Sequence, residues 1–161
     1  MNPSVMIIST IAAAVLSAGR FTSARGDDAA SGRDERVRLS GTWTCVTAVI
    51  DGKTLSEAAA RKLRLTLTAD HYRTDRGDEV LFDSTYRIDL AHDPRHIDMV
   101  GTEGDLAGKE APGIYRLESD GAVLKVCYVM PGRPRPTKFE SAAGSGAYLV
   151  TWKRETSSKD R

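Results

Sequence analysis

Apolar and polar residues alternate with a period of two over most of the chain from Gly41 onward. In "VLFDSTYRIDL" (residues 80–90), Val80, Phe82, Ser84, Tyr86, Ile88 and Leu90 fall on one face, and Asp83, Thr85, Arg87 and Asp89 on the other. Only an extended strand, bent or straight, sorts those residues this way. Leu63, Leu65 and Leu67 alternate with Arg64, Thr66 and Thr68; Ile97 and Met99 flank Asp98; Tyr115 and Leu117 alternate with Arg116 and Glu118. Leu124, Val126, Tyr128 and Met130 make another such face, and Tyr148, Val150 and Trp152 the last.

Turn formers separate these runs: Asp51-Gly52, Ala69-Asp70, Arg76-Gly77-Asp78, His92-Asp93-Pro94 and Ser119-Asp120-Gly121. One segment departs from the strand period. "SEAAARKL" offers Ser56 as an N-cap, Glu57 in the first turn, three alanines, and Arg61 and Lys62 where they suit the helix dipole. About eight strands with one apolar face each, joined by short connections, predict an all-β fold. The expected form is an antiparallel up-and-down barrel with one short helix after the first strand. A barrel is favoured over a sandwich because closure leaves no sheet edge unpaired.

The start of the chain follows a different pattern. Residues 5–18, "VMIISTIAAAVLSA", are uncharged and precede small-residue cleavage candidates at Ser17-Ala18-Gly19 and Thr22-Ser23-Ala24. The run is shorter than the roughly 20 apolar residues of a membrane-spanning helix. It reads as a signal peptide over 1–24, with an uncleaved anchor or a cytosolic chain as alternatives, because no Lys or Arg precedes Val5. Export to a periplasmic or extracellular compartment, with no membrane span left after cleavage, is the expectation. "RGDDAASGRDER" has no apolar period, so 25–37 reads as a charged linker. The barrel domain then covers 38–155 and a polar tail 156–161.

The 23 Lys and Arg residues against 22 Asp and Glu leave a formal charge of +1, without the basic excess of a nucleic-acid binder. No phosphate-cradling Gly-rich loop, paired carboxylates or Ser-His-Asp arrangement stands out, so neither an enzyme nor a bound cofactor is expected. Composition leaves the oligomeric state open.

Gly41-Thr42-Trp43 at the head of the first strand looks like the Gly-x-Trp of lipocalins. In that family the Trp packs at the closed end of the barrel beneath a basic residue from the last strand. Lys153 or Arg154 stands where that residue would be. "LSGTW", "DGK", "LRLTL", "HIDM", "EG", "PGIYRLESDGAVLKVCY" and "PGRPRPTKF" follow in one order and spacing. Together they resemble an uncharacterised lipocalin-like domain family abundant in planctomycete bacteria, often in exported proteins, over about residues 38–155. The resemblance implies the barrel and export, and implies no activity.

Four groups of residues are candidates for chemistry or binding. Cys45 and Cys127 can bridge in an oxidising compartment. Strand parity, however, puts Cys45 on the Trp43 face and Cys127 opposite Val126, which favours separate, buried thiols unless a bulge reverses the parity. "HDPRHID" gathers His92, Asp93, His96 and Asp98, residue types that ligate zinc; lying on a turn and a strand start, they read as solvated and no metal site is expected. "MPGRPRPTKFES" (residues 130–141) is an extended, Pro-stiffened loop. Its Arg133, Arg135 and Lys138 are either a recognition rim or part of a solvated crossover. Finally, Trp43, Tyr72, Phe82, Tyr86, Tyr115 and Tyr128 face inward, where they line a pocket for a small amphipathic ligand or fill the barrel completely. Two readings of function follow. One is an exported barrel binding a small, partly apolar ligand; the other is a filled barrel acting on a protein partner through its loops.

Overall fold

The computed structural model describes residues 24–156. The apolar run at residues 5–18, its cleavage candidates up to Ser23 and nearly all of the tail at 156–161 lie outside the described residues. The helix α1 (Ala24–Leu39) leads into strand β1 (Gly41–Ile50). β2 (Lys53–Thr54), α2 (Glu57–Ala60), β3 (Leu63–Leu67), β4 (His71–Arg76) and β5 (Glu79–Asp89) follow. Then come β6 (Arg95–Gly101), β7 (Glu110–Glu118), β8 (Val123–Val129) and β9 (Ala147–Arg154).

Successive strands pair antiparallel from β3 to β9, β1 pairs with β3, and β9 returns to β1 from Trp43↔Arg154 to Ile50↔Tyr148. The result is a closed eight-stranded up-and-down barrel, with the two-residue β2 appended to β1. Closure pairs the two strands that would otherwise be exposed edges. The Asp51-Gly52 hairpin has positive φ at both residues, 49° and 80°, as a two-residue turn matched to strand twist requires. α2 starts where the sequence indicates, with the Ser56 side chain accepting the Ala59 N–H at 3.2 Å.

Two bulges set which residues face inward. In β1, Cys45 pairs with Trp152 and Thr47 with Thr151, so Val46 is extra and 49% exposed, while Ala48 returns to the interior. In β5, Thr74 pairs with Phe82 and Asp75 with Val80. The inward face expected from Val80 to Leu90 is therefore correct from Phe82 onward, but Val80 is turned out and 41% exposed.

The expected linker at 25–37 needs correction, because this stretch forms most of α1 and the folded unit includes it. Helix periodicity gave no apolar stripe to read. What holds the helix, among its described side chains, is buried Leu39 together with polar side chains that reach the barrel end. At the same helix end lie the 68–70 turn, the 90–94 connection and the 119–121 turn; the longer connections 55–62, 102–109 and 130–146 lie at the opposite, loop end.

Candidate functional site

The helix end is sealed. Trp43 lies buried on the barrel floor and donates its indole N–H to the Leu39 carbonyl at 3.1 Å. Of the two basic residues expected above it, Arg154 takes the place, its guanidinium 4.1 Å from the ring centroid. Arg154 also donates to the carbonyls of Ser40 at 2.7 Å, Gly121 at 2.9 Å and Arg38. These contacts explain the Gly of Gly-x-Trp: Gly41 has φ of +139°, and a Cβ there would sit 2.7 Å from Arg154 Nη1.

α1 closes over this floor through charge. The Glu35 carboxylate is buried and meets Arg95, Arg38 at 3.2 Å and the Tyr115 hydroxyl at 3.3 Å. Burial, and then the Glu35 charge, push the Tyr115 hydroxyl well above its usual range. Desolvation alone would lower Arg95, but Glu35 outweighs it and the guanidinium is held up. Arg36 donates to the Ala69 carbonyl at 2.6 Å and stacks 5.2 Å over Tyr86, whose own hydroxyl donates to Thr68 O at 2.9 Å. Glu35, Arg36 and Arg95 were missed as contributors because the first two fell in the presumed linker.

Inside the barrel, the six residues expected to face inward are found in the interior. Trp43, Tyr72, Phe82, Tyr86, Tyr115 and Tyr128 are each buried. They meet one another and Leu65, Met99, Leu124, Val126 and Trp152 in one continuous core. Aromatic rings run toward the loop end: Tyr72 meets Phe82 edge-on at 6.3 Å, Phe82 stacks on Tyr128 at 6.3 Å, and Tyr128 on Tyr148 at 5.0 Å. Desolvation drives the Tyr72 and Tyr128 hydroxyls far above the ordinary phenol range. Buried Ser84 satisfies its hydroxyl on the Tyr72 carbonyl at 3.1 Å. Cys45, on the inward face, is pushed up to about 11 by burial and so stays a thiol.

The segment 130–146 is a strap laid on the outside wall. Arg135 reaches Asp98 at 2.6 Å and the Gly113 carbonyl at 2.7 Å; Arg133 donates to the Ser145 carbonyl at 3.0 Å. Two of the three loop cations are therefore engaged within the protein, and Asp98, expected in water, is half-buried beneath Arg135. Lys138 remains exposed. Phe139 packs with Ile114, Cys127, Val129 and Ala147 in a second apolar cluster, with Arg116 stacked 5.1 Å above its ring. Cys127 thus faces outward, as parity indicates, yet is buried because the strap covers it. Both cysteines are free thiols. A cavity of about 300 Å³ opens along the strap, lined by Val129, Pro134, Pro136, Thr137, Lys138, Glu140, Ala142, Ser145 and Ala147.

The expected solvated His turn is more organised than its sequence implies. His92 and His96 stack with ring centroids 3.8 Å apart, and His92 Nδ1 lies 3.1 Å from Asp89 Oδ2. Desolvation, then the nearby Arg135 charge, lowers the His96 pKa. Asp89 is held down first by the Ala91 N–H that it accepts. Comparison with family models, curated proteins and solved structures finds no match to this chain.

Proposed function

We propose that this chain is an exported, non-catalytic binding domain of the lipocalin-like kind, whose barrel is filled and which engages a protein partner through the strap at its loop end. The observation that carries this reading is the packed interior: Trp43, Leu65, Tyr72, Met99, Tyr115, Val126 and Trp152 are each at most 1% exposed and occupy the space where a carrier would hold its ligand. Further support comes from the strap. Prolines restrict its backbone, Arg133 ties one end of the strap to the other through the Ser145 carbonyl, and Arg135 fixes it to the wall, so Pro134, Pro136 and Lys138 are presented with little conformational entropy left to lose on binding. The family resemblance of residues 38–155 and the apolar run at 5–18 support the barrel type and the compartment.

Native mass spectrometry of the protein from its host's envelope fraction, compared with a denatured run, tests the filled barrel. The expected result is a processed chain with no retained small molecule. A stoichiometric, dissociable mass would overturn this reading in favour of a small amphipathic ligand, with the Phe82–Tyr128–Tyr148 stack the place to look for it. Cross-linking in the same fraction tests the strap. A partner captured by the wild type and lost with Lys138→Glu supports its role, whereas equal capture by both removes it.

A further inference from the structure

The β5–β6 hairpin ends in a group of donor side chains that the packing of the barrel does not use. Asp89 and His96 are register partners, while the neighbouring pair Ile88↔Ile97 faces the core. Side chains of opposed residues project to one face, so Asp89 and His96 stand together on the outer side. The 90–94 connection folds back and lays His92 on His96, with ring planes 13° apart. Asp89 is fixed in turn: its Oδ1 accepts the Ala91 N–H at 2.8 Å and its Oδ2 faces His92 Nδ1. One donor atom from each of the three residues lies within 4.8 Å of the other two.

We propose that Asp89, His92 and His96 form a binding site for a divalent transition metal of the zinc class. Two imidazoles and a carboxylate suit Zn²⁺, Co²⁺ and Ni²⁺ better than Mg²⁺ or Ca²⁺, which take oxygen donors. Bond lengths of about 2.0–2.2 Å bring the donor atoms of one metal to roughly 3–3.5 Å from each other, so the cluster contracts on binding. Stacked rings hold their in-plane lone pairs side by side instead of converging. Binding therefore turns one imidazole out of the stack about its Cβ–Cγ bond, a side-chain movement that leaves the hairpin in place. Asp89 and His96 are the rigid half of the site because strand pairing positions them; His92 is the arm that closes it.

Two surroundings favour a cation here. The Arg135 guanidinium of the strap is paired with Asp98 at 2.6 Å. Next to Asp89 lies a cavity of about 730 Å³ that leaves room beside the metal; the two arginines that border it, Arg87 and Arg95, are paired with Glu110 and Glu35. Three protein donors leave a tetrahedral ion one position for water or for a donor from a partner.

The full chain without an affinity tag, titrated with Zn²⁺ and with Co²⁺, tests the assignment. Calorimetry should show one saturable equivalent, and bound Co²⁺ should develop visible absorption bands of a low-coordinate site. His92→Ala and His96→Ala should each weaken binding by more than the about 10–100-fold that follows loss of a ligand's supporting partner. His71→Ala, which removes the remaining histidine, should bind like the wild type. Unchanged melting curves of the metal-free variants separate lost ligands from lost fold. The proposal is overturned if no saturable equivalent binds, if the His92 and His96 variants bind as tightly as the wild type, or if His71→Ala loses binding equally.

Discussion

α1 and the strap at 130–146 are charged, small-residue or Pro-rich stretches that read as a linker and as a loop, and both lie folded against the barrel. They are held by different means. α1 sits on the helix end, where strand ends and turns leave carbonyls and a tyrosine hydroxyl without sheet partners, and its contacts are mainly polar: Glu35 to Arg95 and Tyr115, Arg36 to Ala69 O. Its apolar anchor is Leu39, 1% exposed. The strap crosses the side wall, where the sheet has already paired its backbone, and it covers an outward apolar patch with Phe139 while Arg135 pins it to Asp98 and Gly113 O. An attachment to a barrel end completes backbone and buried polar groups; an attachment to a wall mainly removes apolar surface from water. The first should therefore be the more cooperative part of the fold, and the second the easier to open.

The largest effect belongs to the anchor of α1. Leu39→Ala leaves a cavity in the core that Leu39 shares with the barrel and should cost about 2–5 kcal/mol, read as a lowered midpoint in denaturant unfolding. A loss below that range would mean that the helix does not share the barrel's core. Glu35→Ala comes next. It strands the Tyr115 hydroxyl and one side of Arg95, whose 40% exposed side chain can turn to water, so about 1–3 kcal/mol is expected. Glu35→Gln preserves part of the hydrogen bonding and should recover some of that loss. Equal stability of Glu35→Ala and wild type would remove the polar network as the cause of docking.

Legibility from sequence divides along the same line. The strands, the turns and the short α2 could be read because each follows a local rule: period two for a half-buried strand, Asp-Gly for a tight hairpin, Ser before Glu for a helix start. Parity put Tyr86, Tyr115 and Tyr128 inside and favoured separate cysteines. The bulge beside Val80 could not be read, since an extra residue leaves no mark on composition. α1 escaped because its docking depends on Arg95 and Tyr115, about 60 and 80 residues further along the chain. Asp89 was missed in the His cluster for a related reason: the register that sets it opposite His96 is a property of the hairpin, and the quoted motif began three residues too late.

The strap supplies the smaller effects. Arg135→Ala leaves Asp98 half-buried without its guanidinium and should cost about 1 kcal/mol, less than Glu35→Ala by the same denaturant measurement.

Its finer consequence is seen in the thiols. Burial pushes Cys45 up to about 11 and raises Cys127 as well, so at pH 8 the native chain holds little thiolate and should react with a thiol reagent only slowly. Unfolding returns both to an ordinary value of about 8.5 and should release two reactive thiols; finding none after unfolding would mean a bridge. In Arg135→Ala with Phe139→Ala, the strap lifts and Cys127 loses its cover while Cys45 stays inside the barrel. One thiol should then react quickly in the native state, and peptide mapping should place the label on Cys127. Labelling of both cysteines at the same rate would mean that strap and barrel open together, and the distinction between a wall attachment and an end attachment would fail.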